Sequence, residues 1–136
     1  MRRLFEPVAT GVAAARITAA ELGEVENHLA AMRAAKDDVE LLNQHDAAFH
    51  RAVFAATGNQ TRASLLEGIS SRTMWSRVWR GMVDDAVADR TIAEHQAIYD
   101  ALAAGDAALA EAAALMHISA TQKWFRDHLA DLEDDA

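Results

Sequence analysis

The 136-residue chain contains no cysteine, one proline, six glycines and few aromatic residues. The absence of cysteine rules out disulfides, thiolate metal sites and thiol chemistry, so any metal must be held by nitrogen and oxygen. Scarce proline and glycine leave little punctuation for a chain of many short strands, and no useful run alternates apolar and polar residues. No stretch approaches the ~20 uninterrupted apolar residues of a membrane helix. The opening MRRLFEPVATG is basic but has neither a continuous apolar segment nor a cleavage site, so no secretory signal is expected and the cytoplasm is the default location. Positive charge is also short. Thirteen Lys and Arg stand against 21 Asp and Glu, a net charge of −8, which does not suit a surface that must neutralise phosphates.

Ala, Leu and Glu are abundant, and they favour helix nearly throughout. Six helices are expected. The first opens at Glu6-Pro7 and runs to about Arg16, with proline in its first turn. Thr18 with Glu21 forms a capping box for the second, which runs to about Ala35. The third starts at Asp37 or Asp38 and stops at Gly58. The fourth runs from Asn59 to about Gly81 and the fifth from Asp85 to Ala104, before Gly105. Asp106 caps a sixth that reaches about Leu129, followed by a fraying acidic tail. Short connections predict neighbouring helices packed antiparallel, in one all-α domain of residues 1–136.

The informative residues are ionisable groups set on apolar stripes. Asp46 and His50 lie four apart on the face of the third helix that carries Leu42, Phe49 and Val53. His95 falls within the stripe Ile92, Ile98, Tyr99 and Leu102. His117 adjoins an inward face read as Leu109, Ala113, Met116, Ala120 and Trp124. A lone core histidine is more often hydrogen-bonded than metal-bound, and Asp46 with His50 is equally readable as an i,i+4 hydrogen-bonded pair. Their joint occurrence on three helices points to one divalent transition metal, zinc first, with nickel, manganese or iron as alternatives. His28, His45 and His128 miss their stripes and read as rim residues. No His-Glu-x-x-His, paired Glu-x-x-His, nucleophile elbow or phosphate-cradling loop is present.

Three segments together resemble a known family: RRLFEPVATGVAAAR, DAAFHRAVFAATGN (residues 46–59) and EHQAIYDALAAGDAALAEAAALMH (residues 94–117). They are similar to the FCD effector domain of GntR-type transcription regulators, the FadR subgroup. The resemblance implies an antiparallel six- to seven-helix bundle around a central mononuclear metal site, with Asp46, His50, His95 and His117 as ligands. It also implies a small organic acid as effector, a homodimer, and DNA contact only through a winged helix-turn-helix, which does not precede Arg2 here. Arginines suited to grip the acid are Arg72 first, three residues from Ile69, then Arg77, Arg16 and Arg90. Arg80 stands in the same basic group, beside Trp75 and Trp79. A stand-alone metal-dependent hydrolase or isomerase is the alternative, although no general base distinct from the ligands is evident; a purely structural helical dimer is the third reading.

Overall fold

The computed structural model describes residues 2–71 and 74–134, without the side chains of 62, 69–71, 74–77, 83 and 130–134. Seven helices and no strand are found among them: α1 (Arg2–Arg16), α2 (Ala19–Ala34), α3 (Val39–Ala55), α4 (Gln60–Ser71), α5 (Met74–Val83), α6 (Val87–Ala103) and α7 (Ala107–Asp134).

Most of the expected punctuation is present. Thr18 Oγ1 accepts from the Glu21 amide while Glu21 Oε1 accepts from the Thr18 amide, closing the capping box of α2. Asp38 and Asp106 cap α3 and α7 through the Leu41 and Leu109 amides. Gly58 and Gly105 take positive φ, 73° and 65°. At Gly105 the Asp106 amide reaches back to the Ala101 carbonyl, a Schellman-type end that only a left-handed residue permits.

Three boundaries differ from the sequence reading. Helix α1 begins at Arg2, so Pro7 lies inside it rather than in its first turn. The segment read as one helix from 59 to 81 is helical on both sides of residues 72 and 73, as α4 and α5, and those two residues lie outside the described ones. Helix α6 opens at Val87 without a side-chain cap. The acidic tail continues α7 to Asp134 instead of fraying.

Packing order also departs from chain order. Helix α1 packs along α7, the last element, and not along α2, its neighbour in sequence. Helix α2 packs on α3, α6 on α7, and α3 on α4 and α5. The core is built from Val25, Leu29 and Met32 of α2, Phe49, Val53 and Phe54 of α3, Leu66 of α4, and Ile98 and Leu102 of α6. Both helices bury small residues, Ala9, Ala13 and Ala14 on α1 and Ala110 and Ala114 on α7. A Cβ on Gly11 would stand 3.1 Å from the Ala107 carbonyl oxygen, which measures how closely the two backbones approach.

That approach corrects the inward face assigned to the last helix. Leu109 and Met116 are 52% and 72% exposed, and Ala120 is exposed as well. The buried face of α7 is Ala110, Ala114, His117, Ile118, Thr121 and Trp124, so His117 sits within it rather than beside it.

Candidate metal centre

Three helices bring four ionisable side chains to one buried point. Asp46 and His50 come from consecutive turns of α3, His95 from the middle of α6, and His117 from the middle of α7. All four are 6% exposed or less, and His95 is fully enclosed. Ligand atoms of His50, His95 and His117 all lie within 4.8 Å of one another. Asp46 Oδ1 is 2.6 Å from His95 Nε2 and 3.1 Å from His50 Nε2, and those two ring nitrogens are 3.1 Å apart. Phe49 fills the space behind them, its ring meeting His95 edge-on at 4.6 Å and His50 at 5.5 Å.

The ring orientations are fixed from outside the cluster. His95 Nδ1 donates to the Thr91 carbonyl one turn earlier at 2.7 Å, and His117 Nδ1 donates to Glu94 Oε1 at 3.0 Å. Each bond places the proton on Nδ1 and leaves Nε2 as a bare lone pair in the neutral ring. For His95 this has a sharp consequence: its Nε2 lone pair then faces a carboxylate oxygen at 2.6 Å. Two acceptors at that separation repel unless a cation accompanies them. A metal ion bound at the cluster meets the requirement. The donor set fits a metal, because imidazole nitrogens and a carboxylate are the ligands of zinc and its neighbours. The outward bonds to a backbone carbonyl and a carboxylate are the usual supports of metal-bound histidine.

The electrostatics match a site poised for a cation. Burial alone would raise the Asp46 carboxyl, but His95 and His50 reverse that and hold it well below the usual carboxylate range. Burial pushes His50 down against the pull of Asp46. Burial also pushes His117 well below the ordinary imidazole value, with His95 and His50 adding to the effect. Burial raises Glu94, opposed by Arg80. The His50 and His117 shifts both favour the neutral ring, the form that binds metal.

The arginines singled out in the sequence are placed differently. Arg72 lies outside the described residues, as does the side chain of Arg77. Arg16 is exposed at the end of α1, its guanidinium lying over Gly58. Arg90 is half-exposed and paired with Asp84 Oδ2 at 2.6 Å. Arg80 is buried instead: it donates to Thr121 Oγ1 at 3.1 Å and lies 5.5 Å from the Trp124 ring centre. Trp124 in turn meets Trp79 edge-on at 5.4 Å and donates its indole N–H to Asp84. On α1, Arg2 and Glu6 form a buried ion pair at 3.0 Å. Thr91 and Glu94, which orient the rings, were not named as site residues from the sequence. The Thr91 contact uses only a backbone carbonyl and leaves no signal there.

Comparison with known proteins agrees with this architecture. Residues 1–120 match the FCD domain family. The chain is 34% identical over 129 residues to the galactonate operon transcriptional repressor of Escherichia coli K12, covering 93% of this chain and 56% of that protein. It is 33% identical over 124 residues to the HTH-type transcriptional regulator LutR of Bacillus subtilis, covering 88% of this chain and 56% of the relative. The chain thus spans about half the length of the curated relatives it matches. The solved structure of E. coli McbR/YncC superposes with a TM-score of 0.76 at 17% identity, covering 91% of this chain and 62% of that one, a likeness of fold.

Proposed function

The chain belongs to the FCD domain family, found in GntR-type transcription regulators, and on that premise we propose that it is a metal-dependent sensor of a small organic acid. It is a regulator domain rather than an enzyme. The observation carrying the proposal is the convergence of Asp46, His50, His95 and His117, all buried, at one point with donor atoms turned towards one another. Asp46, His50, His95 and His117 would hold one divalent ion, zinc first. Such an ion supplies open coordination positions for carboxylate and hydroxyl oxygens.

The residues of the chain then act as a frame. Thr91 and Glu94 hold the rings of His95 and His117, and Phe49 excludes water behind them. An acid completing the site would favour one arrangement of α3, α6 and α7 over another, and that difference in affinity is what shifts the population. The readout would pass to a winged helix-turn-helix domain in the full-length regulator, presented in pairs by a homodimer. Because one relative is named for a galactonate operon, D-galactonate is the first acid to try.

Metal content and thermal melting test the reading. The purified chain should hold about one metal ion, and chelation should lower its melting temperature, since a ligand of the native state stabilises by mass action. His117→Ala should lose the metal, while His28→Ala should match the wild type. A chain indifferent to both added zinc and chelator would sink the metal centre. Sedimentation at tens of micromolar tests the dimer, and a monomer there counts against it.

A further inference from the structure

Two arginines are buried among the described residues, and they are not in the same situation. Arg2 is neutralised by Glu6 at 3.0 Å. Arg80 makes no salt bridge among the described residues. Its hydrogen bond goes to a neutral hydroxyl, and its Nε is enclosed without a hydrogen-bond partner. A buried cation with an unused donor destabilises a fold unless an anion joins it. Burial accordingly makes the Arg80 guanidinium easier to discharge than usual, opposed chiefly by Glu94.

The position of Arg80 indicates where such an anion would come from. Thr121, its hydrogen-bond partner, lies one helical turn beyond His117 and donates to the His117 carbonyl at 3.1 Å. Arg80 therefore meets α7 about 6 Å along the axis from His117. The carboxylates it senses at longer range are Glu94, which holds His117, then Asp84 beside Trp124, and then Asp46 of the cluster itself. Exposed Arg16 and ion-paired Arg90 have neither this burial nor this neighbourhood.

We propose that Arg80 is the anion anchor of the effector site. Its free Nε–H would take the carboxylate of a small hydroxy acid whose remaining oxygens lie at the Asp46–His50–His95–His117 cluster. The proposal rests on the acid-sensing reading above. Arginine suits the role because its fork offers several donors in a fixed plane that matches a carboxylate. The Trp124 ring beneath it keeps the guanidinium in place and dry.

The test uses zinc-loaded protein, calorimetry with D-galactonate, L-lactate and citrate, and galactitol as the uncharged control. Arg80→Met retains much of the packing over Trp124 but removes the charge. It should keep its metal, melt no lower than the wild type, and lose on the order of tenfold or more in affinity for whichever acid binds. Arg80→Lys keeps the charge without the fork and should fall between the two. A structural strut behaves in the opposite way, so Arg80→Met losing stability and metal together overturns the assignment. Unchanged acid affinity in Arg80→Met or Arg80→Lys overturns it too. A wild-type domain that holds zinc but binds none of the acids removes Arg80's role along with acid sensing. Acid binding that needs Arg80 but not zinc upholds the anchor while overturning the metal reading.

Discussion

Phe49 has no exposed surface and stands edge-on to two of the clustered imidazoles, so it is at once core and support. Phe49→Ala should destabilise the fold by about 3–5 kcal/mol in urea unfolding, through lost burial and the cavity left behind. A loss under 1 kcal/mol would mean that the core collapses freely around the site. Asp84 carries a pH dependence of known sign. Its carboxyl is held below the usual value, first by the Trp124 indole N–H and also by the Ala86 amide and Arg90. A group depressed in the folded state contributes stability above its unfolded value, ~3.9, and loses it as pH falls through the lower folded value. Wild type and Asp84→Asn should therefore converge in stability below about pH 4 and diverge at neutrality; a constant gap across that window contradicts the assignment. At this scale the cluster was legible because a histidine on an apolar stripe is conspicuous. Arg80 was not, because its burial depends on how α7 is turned against α5.

At the scale of elements, the caps were readable and the face of α7 was not. Thr18, Glu21, Gly58, Gly105 and Asp106 act on backbone within a turn of themselves, so local sequence determines them. The buried side of α7 depends instead on a partner far away in the chain. Leu109 and Met116 outrank alanine in hydrophobicity, yet α1 approaches so closely that only small side chains fit between the two helices. Size decided the interface, and apolar periodicity alone ranks residues the other way. Ala110→Leu should thus cost about 1–3 kcal/mol by overpacking. Met116→Gln, at 72% exposure, should stay within about 0.5 kcal/mol of the wild type. If Ala110→Leu is silent and Met116→Gln is not, the helix is turned as the periodicity implied.

For the molecule as a whole, the all-helical class followed from composition, whereas the pairing of α1 with α7 did not. Short connections constrain only neighbours in the chain, and the contact joining first to last helix is set by the core they enclose. Charge bears most directly on activity at this scale. With a net charge of −8, residues 1–136 should not retard duplex DNA at physiological salt. Sequence-specific retardation by these residues alone would contradict the view that DNA contact belongs to another part of the regulator. Among the described residues no helix is long and apolar enough to cross a membrane.

The edge-on pair of Trp79 and Trp124 makes the domain an optical instrument. Two indoles 5.4 Å apart and inclined at 73° couple their electronic transitions, and the coupling is read as circular dichroism. Arg80 lies 5.5 Å from one of the rings, so an anion arriving at its guanidinium alters the field that sets the emission colour of that indole. Trp79→Phe should remove the coupled dichroic band while leaving the emission response of Trp124 to acid in place. Trp124→Phe should abolish both. With no label attached, the protein would report its own occupancy in light, and an unchanged spectrum at saturating acid would place the anion away from Arg80.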